Sequence, residues 1–292
     1  MTWSVSQISR NVHRIAFSDI APGWEQWLLL RSDAHHDSSH CDRDYELSHL
    51  RKAQERDAPI VDVGDLFDAM QGREDRRRSA SGTRREHFVD NYFDALLETA
   101  AADYAPYASQ FALLGMGNHE TAIIRHQQIN LTHNLAARLR QAAGRPDRAF
   151  MGGYGGYIQL QFRMNTIRHG LNLKYYHGAG GGGVVTKGVI NTNRDSVIYP
   201  DATFVVTGHV HEAWIVPLKR EHLNAAGSLR TMPQYHICVP GYKDEYEDGY
   251  MGYHVERRRP PKMLGATWLH FTYEATRANR GIIQYNVIPD WK

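Results

Sequence analysis

The sequence is poor in cysteine, in long apolar runs and in net charge, and each of these absences excludes a class of protein. The two cysteines, Cys41 and Cys238, exclude a disulfide-stapled scaffold and a zinc cage built of thiolates. No apolar run approaches the ~18 residues that a bilayer-spanning helix needs, and the first residues show no signal-peptide pattern. A net charge of +2 with His neutral is too small to indicate nucleic-acid binding by itself. We therefore expect a cytoplasmic protein without a membrane partner.

What is present is typical of one globular domain that spans residues 1–292. Hydrophobic residues make up 42% of the chain, which is enough for a large core. Strand-like apolar runs alternate with helical patterns, as in layered α/β folds. Predicted strands include 26–30, 59–63, 111–114, 171–176 and 203–207, and predicted helices cover 41–57, 86–103 and 121–143. Two stretches break this pattern, an Arg-rich surface loop near 71–85 and a surface excursion near 240–263.

Polar side chains that can bind metal ions follow five of the strand-like runs. The five turns are Asp33-Ala34-His35, Gly64-Asp65, Gly117-Asn118-His119-Glu120, His177 and Gly208-His209-Val210-His211. In layered α/β folds the carboxyl ends of strands converge on one edge, so these residues can share a cleft. Carboxylate, imidazole and amide oxygen together suit manganese, iron or zinc better than calcium. The sequence therefore predicts a metal site at the strand ends.

These turns resemble the calcineurin-like metallophosphoesterase superfamily. The pattern of that superfamily is DxH, GDxxD, GNH(E/D), a single H and GHxH, and all five blocks stand here in order between Asp33 and His211. The resemblance implies an α/β fold, a four-layer α-β-β-α sandwich with two packed mixed β-sheets and a dinuclear metal site at strand ends. It also implies two divalent metal ions, manganese in the first place and iron or zinc as alternatives.

The resemblance assigns a role to each residue of the five blocks. Asp65 would bridge the two metals, with Asp33, His35 and His211 on the first and Asn118, His177 and His209 on the second. A metal-activated hydroxide would then attack phosphorus. His119 would face the substrate and act on the transition state or the leaving oxygen, and Asp68, the second acid of GDxxD, would orient His119. Glu120 would support the site without binding a metal.

Some histidines and acids also have plainer interpretations. His177 stands alone in its block and could be an ordinary buried or surface histidine. His36 follows His35, but the alternation of a strand points it elsewhere, so we do not expect it to bind metal. Asp37, His40 and His49 are expected to be solvated, as such residues usually are.

The substrate class is predicted less directly. The protein phosphatases of the superfamily have an arginine after the second block, where this chain has Asp68-Ala69-Met70. That difference favours a phosphodiesterase, with nucleic acid as the leading substrate, and the layout resembles the stand-alone phosphoesterases of bacteriophage genomes. Arg73, Arg76 and Arg77 would then contact substrate phosphates, although the default interpretation of this stretch is a solvated loop. The alternatives are a phosphomonoesterase acting on a small molecule or phosphoprotein, and a metal-stabilised binding module without catalysis. The sequence does not indicate an oligomeric state.

Overall fold

The computed structural model describes residues 3–70, 82–164, 167–181, 186, 188–250, 252–275 and 281–292. Within these ranges the chain forms thirteen strands and six α-helices, with two short 3-10 helices at Arg85–His87 and Ala105–Tyr107. In this part of the chain no helix is long and apolar enough to cross a bilayer.

The elements follow one another in a mixed order of strands and helices. The first half contains β1 (Trp3–Ser9), β2 (Val12–Phe17), β3 (Glu25–Arg31), α1 (Arg43–Glu55), β4 (Ile60–Asp62), α2 (Tyr92–Tyr104), β5 (Phe111–Leu114), α3 (Asn118–Gln127) and α4 (Leu131–Ala143). The second half contains β6 (Phe150–Met151), β7 (Gly155–Met164), β8 (Ile167–Tyr176), α5 (Val189–Ile198), β9 (Phe204–Thr207), β10 (Trp214–Leu223), β11 (Leu229–Cys238), α6 (Tyr253–Glu256), β12 (Gly265–Glu274) and β13 (Ile282–Trp291).

The strands form two sheets, and both sheets are mixed. One sheet has seven strands in the order β1-β2-β7-β8-β9-β11-β10, and the other has six in the order β13-β12-β3-β4-β5-β6. Strands β3 to β6 run parallel to one another, whereas β12 is antiparallel to both β3 and β13. The predicted α/β fold with two mixed sheets is therefore confirmed, while the four-layer sandwich stays a prediction.

The sequence of strand β3 is apolar because both faces of the strand are buried. Leu28 and Leu30 point into one core together with Phe162 and Phe204 of the seven-stranded sheet. Leu29 points the other way, into a second core that contains Leu50 of α1 and residues of α2 and α4. A strand that is buried on both faces needs a continuous apolar run rather than alternation. The core between the sheets and the core under the helices thus hold β3 in place and fix where its end emerges.

The structure corrects several predicted elements. The helix predicted over 121–143 is two helices, because Gln128 adopts a left-handed conformation with φ 58° and ends α3. Strands β1 and β6 and helix α5 were not predicted. Helix α5 has the sequence VINTNRDSVI, whose β-branched residues and asparagines are weak helix formers, so local propensity does not indicate it.

Candidate metal centre

The five turns of the sequence meet at the ends of neighbouring strands. Strands β3, β4 and β5 lie side by side and parallel in one sheet, and β8 and β9 do so in the other. The carboxyl ends of these strands carry every candidate ligand. Three groups of side chains have their ligand atoms within 4.8 Å of one another: Asp33, His35 and His211; Asp65, His177 and His209; His35, Asp65 and His119.

Backbone strain is concentrated in these turns. Of the twelve non-glycine residues with positive φ in the described chain, five are candidate ligands: Asp33, His35, Asp65, His209 and His211. A left-handed conformation at such residues costs roughly 1–3 kcal/mol each and persists only where the surroundings hold it. Here the amide N–H groups of Asp33 and His35 donate to the carbonyl oxygens of Gly64 and Asp65, at 2.9 and 3.0 Å. The two turns are therefore held against each other, with their side chains directed to the same place.

Two glycines are required for this close approach. A Cβ atom at Gly208 would lie 2.0 Å from Ser32 Oγ and 2.4 Å from Asp33 Oδ2. Gly64 has φ +117°, and a Cβ atom there would lie 2.5 Å from the backbone nitrogen of Gly117. Both positions exclude a side chain, because the space is filled by the neighbouring turn. The glycines of the second and fifth blocks thus allow turns from different strands to touch.

The first group places two imidazoles and a carboxylate around one point. His211 Nε2 lies 3.3 Å from His35 Nε2 and 3.4 Å from Asp33 Oδ1. His35 Nδ1 lies 2.8 Å from Asp68 Oδ1, so the ring carries its proton on Nδ1 and presents the Nε2 lone pair to the group. Two ring nitrogens that face each other beside a carboxylate form a donor set for a cation.

The second group lies beside an unsatisfied amide oxygen. His177 Nε2 lies 3.1 Å from Asp65 Oδ2, and His177 Nδ1 lies 3.3 Å from the carbonyl oxygen of Val63. Asn118 Oδ1 is buried and has no hydrogen-bond partner among the described residues. A buried polar atom without a partner costs about 1–3 kcal/mol, and a bound cation would satisfy it. The residues therefore fit a divalent metal site.

The buried carboxylates and imidazoles of the two groups shift one another's pKa values. Burial by itself would raise the pKa of the Asp65 carboxyl, but the imidazoles of His119 and His177 lower that pKa well below its usual range. Burial would likewise lower the pKa of His177, but the carboxylates of Asp65 and Asp33 raise it to about 9. In the metal-free protein at neutral pH, His177 therefore carries a proton that a metal ion would have to displace.

Metal binding is consequently expected to release protons and to strengthen as pH rises. The ion pair of protonated His177 stabilises the metal-free fold fully below the ordinary pKa of 6.5, and this contribution is lost as pH rises through about 9. Affinity for Mn²⁺ should thus increase across that range. Calorimetric titration with Mn²⁺ at pH 7.5 in PIPES and in Tris, whose heats of ionisation differ, would measure the release. Equal heats in the two buffers would contradict a protonated ligand set.

His119 lies beside the two groups and faces the cleft. Its backbone N–H donates to Asp65 Oδ1 at 2.9 Å, because the residue belongs to the first turn of α3. Its Nδ1 lies 2.5 Å from the backbone oxygen of Asp68, so the proton on Nδ1 is held there. Nε2 is consequently the atom that can act on a bound molecule, at 3.8 Å from Asp65 Oδ2. His119 thus lines the cleft and is held there by a main-chain oxygen.

The carboxylate of Asp68 has different partners from the one predicted. Its Oδ1 lies 2.8 Å from His35 Nδ1 and 3.0 Å from Lys243 Nζ, so the side chain orients His35 rather than His119. Burial alone would raise the pKa of Asp68, but Lys243 and His35 hold it well below its usual range. Asp68 contacts His119 only through its main-chain oxygen, because its carboxylate pairs with Lys243 and His35 instead.

Glu120 holds the turns together and binds neither group. Its carboxylate accepts the backbone N–H groups of Asp65, Phe67 and Gly117 at 3.1, 3.0 and 2.8 Å. Burial and the nearby Asp65 carboxylate raise the pKa of Glu120 to about 8. One side chain therefore ties the second turn to the third.

Lys243 and Glu245 were missed by the sequence analysis. They line a cleft of about 260 Å³ together with His35, Asp65, Met70, Asn118, His119, His209 and His211. Lys243 Nζ lies 3.0 Å from Asp68 Oδ1 and 3.1 Å from Glu245 Oε1. The interpretation of 240–263 as a surface excursion is wrong at its start, since Tyr242 is fully buried and Lys243 is 6% exposed. One sequence signal for these two residues was available. They follow the apolar end of β11, just as the candidate ligands follow the apolar runs of their own strands.

Three further expectations met different outcomes. Asp37 and His49 are buried rather than solvated, and Asp37 accepts the backbone N–H groups of Asp68 and Ala69. His40 is partly exposed, as expected, and lies beside Glu247. His36 contacts Glu46 and Asp103 at 2.8 and 2.9 Å instead of the candidate ligands. The predicted substrate contacts Arg73, Arg76 and Arg77 lie outside the described residues.

Comparisons with known proteins find only distant likeness. No protein-family model and no curated protein matches the chain. Among solved structures, a predicted phosphoesterase from Streptococcus pneumoniae is 11% identical, with 90% of this chain and 98% of that chain covered and a TM-score of 0.32. Vps29 from Chaetomium thermophilum is 6% identical over 90% and 95%, with a TM-score of 0.36. A putative 5′-nucleotidase from Staphylococcus aureus is 11% identical over 91% and 54%, with a TM-score of 0.41. Likeness at this level carries no weight for function, which therefore rests on the site itself.

Proposed function

We propose that the protein is a dinuclear metal-dependent phosphoesterase. The observation that supports this most is the convergence of the five turns, which brings two His and Asp groups together beside His119 in one cleft. Asp33, His35 and His211 would hold the first cation, and Asn118, His177 and His209 the second. Asp65 forms a group with His177 and His209 and a second group that includes His35, a residue assigned to the first cation, which supports a carboxylate shared by both cations.

The chain's own residues supply the remaining chemistry. When bound, two divalent cations provide a nucleophile at neutral pH and offset the charge of a phosphoryl group. His119, with Nδ1 held by the Asp68 backbone, presents Nε2 to protonate the leaving oxygen, an effect that ordinarily contributes about 10²–10⁴-fold. The ammonium group of Lys243 lies in the wall of the cleft, where it pairs with Asp68 and Glu245. Asp68 keeps the His35 ring in the tautomer that leaves Nε2 free for a cation.

The leading substrate is a phosphodiester, with nucleic acid as its class. The arginine that grips phosphomonoesters in the related phosphatases is replaced here by Ala69 after Asp68. A phosphomonoesterase acting on a small molecule or phosphoprotein is the second candidate. A binding module without catalysis is disfavoured by the presence of both Asp65 and His119 in the cleft.

A comparison of two chromogenic esters tests the proposal. The protein is loaded with Mn²⁺, and its hydrolysis of bis-p-nitrophenyl phosphate is compared with that of p-nitrophenyl phosphate. We expect the diester to be strongly preferred. Preference for the monoester would replace the leading substrate by the second candidate, and rates equal to those of Asp65→Asn on both esters would leave the non-catalytic module. Parallel loading with Fe²⁺ and Zn²⁺ tests whether manganese is the preferred metal.

A further inference from the structure

Three neighbouring strands of the seven-stranded sheet contain no acidic residue. Strands β2, β7 and β8 are adjacent in the sheet order, and their 6, 10 and 10 residues include no Asp or Glu. The whole chain has 32 acidic residues among 292, so such a composition over three strands is uneven. The basic and amide side chains on these three strands therefore lie in a region whose own side chains carry no negative charge.

Alternation places the charged residues on the outer face. On β7, Ile158, Leu160 and Phe162 are buried in the core between the sheets, and the residues between them are at least partly exposed. Register puts Arg14 beside Gln159, Lys174 opposite Tyr157, and Arg168 opposite Arg163. We call this outer surface the acid-free face, and its main side chains are Arg14, Tyr157, Arg163, Arg168, Lys174 and Tyr176.

The cations of this face lack carboxylate partners on their own strands. Arg163 and Arg168 are both exposed and stand directly opposite each other in the antiparallel ladder. Like charges in that position destabilise a sheet. Arg14 donates to the amide oxygen of Gln159 at 3.0 Å and Arg163 to that of Gln161 at 3.2 Å, and no ion pair joins Arg14, Arg163 or Arg168 to an acid among the described residues. Lys174 is the exception: burial lowers the pKa of its ammonium group, and the nearby carboxylate of Asp195 in α5 acts in the opposite direction and raises it. An anionic ligand would offset the repulsion between the two arginines.

Aromatic rings join the face to the candidate metal centre. The ammonium of Lys174 lies over the rings of Tyr157 and Tyr199, 5.0 and 4.8 Å from their centroids. Tyr176, at the end of β8, contacts Tyr154, whose ring centroid is 5.4 Å from that of His177. The face therefore runs along β8 for about 26 Å, at ~3.3 Å per residue, and ends at a candidate ligand.

We propose that the acid-free face binds single-stranded nucleic acid and leads its backbone to the cleft. This inference rests on the proposed function, because it names the substrate class of the same site. Cations and amides along two strands suit a phosphate backbone, and tyrosines at the catalytic end offer surfaces on which bases stack. An acidic protein would use the cations but would not need the aromatic rings near His177. The single strand is therefore the occupant that the face fits.

Binding is measured without metal, so that hydrolysis plays no part. Fluorescein-labelled oligo(dT) and oligo(U) of about 16 nucleotides are titrated in EDTA with wild type and with the double variant Arg163→Ser/Arg168→Ser, followed by fluorescence anisotropy. The matched control is Arg51→Ser/Arg138→Ser, which removes two exposed arginines from α1 and α4. We expect about tenfold weaker binding for the double variant only, with a salt slope smaller by about 1.4. Lys174→Gln provides a second variant near the catalytic end, and thermal unfolding by circular dichroism checks that each variant is folded.

Each result separates this proposal from the function proposed above. Equal weakening by both double variants, or none by either, would overturn the acid-free face as the binding site. Wild type that ignores both oligonucleotides but binds poly-glutamate would assign the face to an acidic protein instead. Specific weakening of oligonucleotide binding with unchanged hydrolysis of bis-p-nitrophenyl phosphate would support it. If wild type binds oligonucleotides through this face yet hydrolyses no ester, the binding proposal stands and the catalytic one fails.

Discussion

Replacing Asp65 by asparagine is expected to abolish hydrolysis and to weaken metal binding at both sites. The Asp65 carboxylate forms one group with His177 and His209 and another with His35 and His119, so it lies close to residues assigned to each cation. Asparagine has the same shape and still accepts the backbone N–H of His119, which lies 2.9 Å from Oδ1, so the fold should be retained. Since loss of a mere supporting group already costs about 10–100-fold in metal affinity, loss of the shared ligand should cost at least as much. Calorimetry and elemental analysis measure the metal, and bis-p-nitrophenyl phosphate measures the rate.

Asp44→Asn is the matched control, because Asp44 is an exposed aspartate on α1. It should bind metal and hydrolyse the ester as wild type does. Unchanged turnover of Asp65→Asn with full metal content would show that Asp65 does not bridge two cations. Loss of one metal only, with the other retained at full affinity, would reassign Asp65 to a single site.

Replacing His119 by alanine is expected to lower the rate about 10²–10⁴-fold while metal content stays the same. His119 Nε2 faces the cleft and Nδ1 is held by the Asp68 backbone, so the ring can give a proton to a leaving oxygen. The loss should be larger for an ester with a poorly leaving alkoxide than for p-nitrophenolate, because the better leaving group needs less protonation. Steady-state rates on a methyl and a p-nitrophenyl diester, with elemental analysis of bound metal, measure both effects.

The control for this variant is His126→Ala, an exposed histidine on the same helix. It tests whether removal of an imidazole from α3 alters the helix itself. If His119→Ala instead loses metal, His119 is a ligand, which its place in a group with His35 and Asp65 would allow. Equal losses on the two diesters would leave it as a stabiliser of charge rather than a proton donor.

Much of the candidate site could be predicted from the sequence because its ligands come from local units. Each ligand stands just after an apolar run, as Asp33 follows β3 and His209 follows β9. An apolar run predicts a buried strand, and a polar residue just past its end must emerge at the edge of a sheet. The break between α3 and α4 was missed for the opposite reason, since Gln128 has no residue-specific signal for a left-handed conformation.

Lys243 could not be predicted because its role depends on which strands are neighbours. Strand β11 runs parallel to β9, and only that pairing brings the segment after Cys238 to the cleft. Asp37 and His49 were misjudged for a related reason, because their burial is produced by chain segments distant in sequence. His49 is one example, with Tyr242 contacting its ring from 193 residues away.

The sequence by itself determined the residue types of the candidate ligands, their order and their places at the ends of strands, because those follow from local alternation and chemistry. Only the tertiary structure decided which turns touch, since the approach of Gly208 to Ser32 and Asp33 joins the two sheets. The same holds for the acid-free face. The lack of acids in β2, β7 and β8 is visible in the sequence, but β2 becomes the neighbour of β7 only through pairing across more than a hundred residues.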